Sequence, residues 1–342
     1  MSRIDMETTA LALVAPGKGI LAADESTPTI SKRFETIKLG STEETRRAYR
    51  DMLLTTPGLD DFISGVILFD ETLRQKSKGG VSFPELLRSQ GVIPGIKVDK
   101  GTKPLPNFPN EKVTEGLDGL RERFEEYIEL GARFSKWRAV IKIGEGIPTS
   151  ACITANAHAL ARFAALSQEA GLIPIVEPEV LMDGDHPLER CEEVTAQTLA
   201  TVFQQLAEYG IALEEMLLKP NMVLAGEDCP QPAGVLEVAE ATLRCLRRVV
   251  PAAVPGIVFL SGGQSDVLAT QHLNMMNQIG GAPWQLSFSF GRALQAPALR
   301  AWQGRNIPAG QQALQQRAKC NSAARYGQYS EEFERERRAL AA

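Results

Sequence analysis

The sequence predicts an α/β fold, a closed (β/α)8 TIM barrel forming a single domain over residues 1–342. Three observations predict it. Short apolar runs alternate eight times with segments of helical periodicity. The runs are near-continuous rather than alternating, as parallel strands buried on both faces require. Charged or phosphate-friendly residues stand at the ends of most runs, where a barrel gathers its chemistry at the C-terminal face. The loop after the first run lacks G-x-G-x-x-G, which counts against a dinucleotide-binding sheet. No repeat or low-complexity linker divides the chain.

Residues 1–15 read as a helical arm packed on the surface. Gly19-Ile20-Leu21-Ala22-Ala23 is the first strand, ending in Asp24-Glu25-Ser26. Ser41 and Thr42 read as helix caps, with Glu44 following Ser41 at capping-box spacing. A helix carries Arg46 to Leu54. Val66-Ile67-Leu68-Phe69 is the second strand and Ile93 to Asp99 the third. Residues Gly116 to Leu130 form a helix with Leu117, Leu120, Phe124 and Ile128 on one face. Lys136 to Ile143 is the fourth strand, followed by a helix over Ala151–Glu169 capped by Ser150. Leu172 to Glu179 is the fifth strand, and a helix spans Leu188 to Tyr209. Met216 to Lys219 is the sixth strand, stopped by Pro220, which has no backbone donor. A helix near Leu236–Val249 precedes Ile257-Val258-Phe259-Leu260, and Trp284 to Ser289 is the eighth strand. Helices at about 293–303 and 308–327 close the chain, with a tail from about 328 to 342 that is expected to move.

A chain of 342 residues suits one such barrel with insertions. The net charge of −5 and the absence of a basic tail argue against a nucleic-acid partner. No apolar run approaches the ~20 residues that span a bilayer, so no membrane partner is expected. The N-terminus shows no secretory signal. Cys152, Cys191, Cys229, Cys245 and Cys320 are odd in number and widely spaced. That pattern reads as reduced thiols in the cytoplasm, not as a disulfide frame or a zinc site. His158, His186 and His272 are scattered and read as structural or surface residues, which counts against a metal-dependent mechanism needing several His ligands; a cofactor is not expected either.

The candidate chemistry lies at the strand ends. Lys219 ends a buried apolar strand, a setting in which a lysine can lose its proton and attack a carbonyl carbon. A solvated lysine at a strand end remains the alternative. Lys136 and Arg138 are two apart and share one side of their strand, as do Lys97 and Asp99. Facing the barrel axis, they would join in one cationic pocket suited to an anion; facing outward, they would make surface ion pairs. Ser261-Gly262-Gly263-Gln264-Ser265 and Ser289-Phe290-Gly291-Arg292 follow strands seven and eight. There, backbone amides, a helix N-terminus and a guanidinium fork suit a phosphate.

Eight segments then resemble one known family over about residues 15 to 325. They are GKGILAADEST at 17–27, GVILFDETL at 65–73, GIKVDKG at 95–101 and KWR at 136–138. The others are PIVEPE at 174–179, LLKPNMV at 217–223, FLSGGQS at 259–265 and GRALQA at 291–296. The chain closely resembles class I (Schiff-base) fructose-1,6-bisphosphate aldolases. The resemblance implies metal-independent aldol cleavage of a sugar bisphosphate in glycolysis or gluconeogenesis, and a homotetramer. It implies that Lys219 forms an imine, Glu177 acts as general acid/base and Asp24 takes the C4 hydroxyl proton. Lys136 and Arg138 would support the charges, with Glu179 in the network near Lys219. Ser261, Gly262, Gly263, Ser289, Gly291 and Arg292 would hold the C1 phosphate, and Ser26, Arg33 and Lys97 the C6 phosphate.

For Lys219 to be neutral when it attacks, the Glu177 carboxyl is expected to be raised. The sequence also departs from the family. It lacks a terminal tyrosine, leaving Tyr326 and Tyr329 as substitutes or as packing residues. Thr27-Pro28-Thr29 stands where a glycine is usual, and Phe290 stands where a tyrosine is common near the phosphate. A non-catalytic binder on this fold and a Schiff-base aldolase for another sugar phosphate remain alternatives.

Overall fold

The computed structural model describes residues 3–335. Helix α1 (Arg3–Leu13) precedes strand β1 (Gly19–Ala23), and α2 (Thr27–Glu35) and α3 (Glu43–Leu54) lead to β2 (Ile63–Leu68). Helices α4 (Asp70–Arg74) and α5 (Phe83–Ser89) lead to β3 (Ile93–Lys97). A hairpin of β4 (Thr102–Pro104) and β5 (Lys112–Thr114), then α6 (Leu120–Glu129), precedes β6 (Phe134–Ile141). The chain continues through α7 (Ser150–Glu169), β7 (Ile173–Val180), α8 (Leu188–Glu208) and β8 (Leu217–Leu218). It ends with α9 (Val235–Val249), β9 (Gly256–Phe259), α10 (Asp266–Ile279), β10 (Gln285–Phe290), α11 (Arg292–Trp302) and α12 (Ile307–Arg325).

Among the described residues, eight parallel strands close in the order β1, β2, β3, β6, β7, β8, β9, β10. Closure is made by β1 against β10, where Ile20 pairs with Ser289 and Leu21 with Phe290. Successive residues point to opposite faces of a strand, so each strand sends one row into the barrel. On β7 that row is Ile173, Ile175, Glu177, Glu179. On β6 it is Phe134, Lys136, Arg138, and on β1 Ile20, Ala22, then Asp24. Leu217 and then Lys219 form the row of β8. The lower members pack together in one apolar cluster, whereas the upper, charged members line a cavity at the C-terminal mouth.

The N-terminal arm is not a surface appendage. Met6, Ala10, Leu13 and Val14 are buried and join the same lower cluster, so α1 closes the N-terminal end of the barrel. The spacing 6, 10, 13, 14 is one helical face. Glycines make the room: a Cβ at Gly256 would stand 2.5 Å from Val14 Cγ1, and one at Gly65 2.7 Å from Leu13 Cδ2. Arg325, at the end of α12, donates to the carbonyls of Val14 and Lys18 and ties the plug down.

Several boundaries differ from the sequence reading. Thr42, not Ser41, caps α3, and the reciprocal box is made with Thr45; Glu44 pairs instead with Arg47. Thr149 caps α7, its Oγ1 accepting from Cys152 N, and Ser150 is the first helical residue. The helix expected from Gly116 starts at Leu120, after Gly119 in the left-handed region (φ 65°). The preceding segment forms the unforeseen β4–β5 hairpin, whose first residue Thr102 lines the cavity at the mouth. Within the tail read as mobile from about 328, Tyr329 and Glu334 are buried. Tyr329 Oη donates to Glu334 Oε1 at 2.7 Å, and Glu334 also pairs with the fully buried Arg317. Residues 336–342 lie outside the described residues. All five cysteines are free thiols. Among the described residues, no helix is long and apolar enough to cross a membrane.

Candidate active site

Lys219 stands just beyond β8. Its backbone N–H donates to Val176 O at 2.8 Å, the last pairing before Pro220. Pro220 cannot donate, and Asn221 compensates with its side chain: Val180 N donates to Asn221 Oδ1 at 3.0 Å. The strand therefore ends with the lysine held rigidly at the mouth. Its Nζ lies 3.2 Å from Glu177 Oε1. Lys136 Nζ lies 3.1 Å from Glu177 Oε2 and 2.7 Å from Asp24 Oδ2. Lys219, Glu177 and Lys136 are each 3% exposed. Two ammonium and two carboxylate groups thus form one buried chain, Lys219–Glu177–Lys136–Asp24.

Burial alone pushes the Asp24 carboxyl up, but the charges of Lys136 and Lys219 outweigh it and hold the group well below the usual carboxylate range. Burial also pushes Glu177 up, and Lys136, Lys219 and Arg138 again win, so its net shift is downward. This overturns the expected raised Glu177: the inward rows place three cations around it, whereas the sequence reading inferred the shift from the need for a neutral Lys219. Burial disfavours the Lys136 ammonium, yet Asp24, Glu177 and Asp99 raise it well above the ordinary lysine value. Lys136 therefore stays charged between two ionised carboxylates.

The cavity as a whole measures about 600 Å³, and the rest of its lining is rich in cations and hydroxyls. Arg138 binds Glu179, two residues above Glu177 in the same row. Lys97 Nζ lies 2.8 Å from Asp99 Oδ1, and Asp99 also accepts from the amides of Gly101 and Arg138. Ser26, Arg33, Ser261, Gly262, Ser289, Gly291 and Arg292 line the same wall. Gly262 and Gly263 adopt positive φ (54° and 93°), turning the chain into α10, whose cap Ser265 accepts from Leu268 N. Gln264 Oε1 accepts a 2.6 Å bond from His272 Nδ1, bracing this loop from behind. Ser289 Oγ is buried, lines the cavity and has no hydrogen-bond partner among the described residues.

Of the residues singled out from sequence, Gly263 does not line the cavity; it packs on Met182, with Arg292 close by. Arg33 borders Gly291 of the strand-eight loop: a Cβ there would stand 3.8 Å from Arg33 Nη2. The sequence reading set those two residues at opposite phosphates. Phe290 points into the helix layer and is fully buried, so a hydroxyl there would not reach the mouth. Tyr326 lies against Gly17 below β1, and Tyr329 N donates to Asn274 in α10; neither lines the cavity. Thr27, Pro28 and Thr29 begin α2 rather than a loop. Sequence reasoning missed Lys32, Thr36 and Thr102 as cavity residues, and Glu25 as the partner of Arg33. The i, i+4 phase of α2 from Pro28 through Lys32 to Thr36 was a readable sign that they share one face. Among the described residues, no group of three or more His, Cys, Asp or Glu is arranged to hold a metal.

A family model described as class-I fructose-bisphosphate aldolase matches residues 5–341. A relative from Xanthomonas campestris, described as a probable class 1 fructose-bisphosphate aldolase, is 58% identical, covering 96% of this chain and 99% of that protein. Fructose-bisphosphate aldolase 1 of Toxoplasma gondii is 55% identical, covering 93% and 88%. Among solved structures, fructose-bisphosphate aldolase from Plasmodium falciparum, crystallised with TRAP and a small-molecule inhibitor, superposes with a TM-score of 0.94. It is 52% identical, covering 96% of this chain and 95% of that one.

Proposed function

The chain belongs to the class-I fructose-bisphosphate aldolase family and is a lyase, and we propose that it cleaves fructose 1,6-bisphosphate through an imine on Lys219. The observation that supports this is the buried Lys219–Glu177–Lys136–Asp24 chain. The neutral Lys219 amine attacks the C2 ketone of the open-chain sugar. Glu177, ionised at rest, has first taken one proton from the Lys219 ammonium; a second moves from the nitrogen to the carbonyl oxygen, and Glu177 then protonates the resulting hydroxyl, which leaves as water and leaves the imine protonated. The protonated imine is then an electron sink.

Asp24, held ionised, takes the C4 hydroxyl proton. The C3–C4 electron pair moves into the imine as an enamine, and glyceraldehyde 3-phosphate leaves. Protonation at C3 and addition of water release dihydroxyacetone phosphate and restore Lys219. Lys136 remains charged throughout and stabilises both carboxylates as protons move. Arg138 and Glu179 hold the upper rim. Ser261, Gly262, Ser289, Gly291 and Arg292 bind one phosphate, with Gly263 shaping their loop. Ser26, Arg33 and Lys97 serve the other, and Arg33 is near enough to Gly291 to serve both. Two such sets favour a bisphosphate over a monophosphate.

We further take the protein to act without a metal, as a homotetramer in the cytoplasm, in the glycolytic or the gluconeogenic direction. Replacing Lys219 by Met is expected to lower cleavage at least ~10⁴-fold, as for other covalent nucleophiles, while excess chelator leaves the wild type unchanged. Cleavage that survives K219M, or that is lost to chelator, would reject the reading.

A further inference from the structure

A further buried carboxylate lies beside the catalytic chain and has no part in the steps above. Glu25 follows Asp24 and is 8% exposed. Its Oε1 accepts from Arg33 Nη1 and, at 2.8 Å, from Gln295 Nε2. Its Oε2 accepts from Arg50 Nη2 at 2.6 Å. Arg50 comes from the middle of α3 and is almost fully buried. Gln295, on α11, is locked in turn: Nε2 also donates to Ala22 O at 2.6 Å, and Oε1 accepts from Tyr49 Oη at 3.1 Å. One carboxylate therefore serves two guanidinium groups. Burial pushes the Glu25 carboxyl up, and Arg33 and Arg50 bring it below its ordinary value.

The two arginines are not equivalent. Arg50 is walled in, whereas Arg33 lines the cavity with 21% of its side chain exposed and stands beside Gly291. A phosphate entering the mouth competes with Glu25 for Arg33. If Arg33 were the sole cation on Glu25, releasing it would strand a buried carboxylate, which is costly. With Arg50 in place, Glu25 keeps a cation and a neutral donor when Arg33 turns to the phosphate.

We propose that Arg50 is a positioning residue for substrate binding: by holding Glu25 it leaves the Arg33 guanidinium available to a substrate phosphate. This rests on reading the cavity as a sugar-bisphosphate site. Two readouts separate the claims: steady-state cleavage of fructose 1,6-bisphosphate, and the calorimetric Kd of inorganic phosphate. They are compared for wild type, R50M, E25Q and the double variant. R50M is expected to raise KM and the phosphate Kd about tenfold, the size of one charge-assisted hydrogen bond, with kcat little changed. E25Q is expected to raise neither, because it removes the competitor. The double variant is expected to regain near wild-type KM and Kd, a rescue that a merely structural role of Arg50 would not give. An unchanged Kd in R50M, or a double variant as weak as R50M, would overturn the proposal. Should R50M not fold, E25Q decides alone, and a raised Kd there would overturn it. A wild type that binds phosphate but leaves the sugar intact rejects the functional reading, while the Kd series still judges Arg50.

Discussion

At the scale of single residues, Lys136 sets the electrostatics of the mouth. It touches Asp24 and Glu177 together, and its charge does most to keep both carboxylates ionised. The roles of those carboxylates are separable. Asp24→Asn is expected to lower cleavage by about 10²–10⁴-fold, the usual worth of a general base, while imine formation on Lys219 persists. Borohydride trapping of the D24N–substrate adduct checks this, and a variant that neither cleaves nor traps would place Asp24 in imine formation instead. Glu177→Gln is expected to slow trapping itself by a similar factor, measured as the rate of adduct formation. Lys219, Glu177 and Asp24 could be placed at the mouth from sequence because each ends an apolar run, and Lys136 because it shares one side of its strand with Arg138. The state of Glu177 was not: it depends on three cations brought near by three-dimensional register, Lys136 on its own neighbour strand and Lys219 on the other.

At the scale of elements, one rule builds the site. The inward rows of β1, β6, β7 and β8 start apolar and end charged, as Ile173-Ile175-Glu177-Glu179 does on β7. The same alternation was visible for Lys136 and Arg138 before any coordinates. What the sequence hid was how little backbone the site needs: β8 is two residues long, and Asn221 replaces the pairing that Pro220 forbids. The β4–β5 hairpin was also hidden, because three-residue strands leave no periodic trace. The plug helix was misjudged because its face of Met6, Ala10, Leu13 and Val14 has to be matched to missing side chains elsewhere, at Gly65 and Gly256. Leu13→Ala is expected to cost about 2–5 kcal/mol, read as a lower denaturation midpoint, with KM unaffected because the plug lies a full layer below the mouth. A Cβ at Gly19 would stand 2.5 Å from the Phe288 ring. Gly19→Ala is therefore expected to destabilise by about 1–3 kcal/mol through overpacking, and a Tm equal to wild type would contradict that close approach.

For the whole molecule, the acid limb of stability follows from a group outside the chemistry. His272 is buried behind the phosphate loop, and burial lowers it from 6.5 to about 4. The unfolded chain thus takes up this proton first. The stabilisation is complete above pH 6.5 and falls away as pH drops toward 4, by up to about 3 kcal/mol. Asp24 and Glu177, lowered in the fold, add a second loss below about pH 4. A plot of Tm against pH is expected to bend downward below about 6.5, and His272→Gln to make that bend shallower, the rest coming from His186, which burial also lowers; a wild-type Tm constant from pH 7 to 4.5 would contradict the burial of a neutral imidazole. The barrel order itself was readable from eight apolar runs, since parallel strands buried on both faces have few other arrangements.

The most direct test of the central claim is to incubate the protein with fructose 1,6-bisphosphate, reduce with borohydride and map the modified peptide by mass. The account predicts one stable adduct, on Lys219, and none in K219M. An unmodified Lys219 in protein that is turning over substrate, or an adduct confined to another lysine, would contradict it.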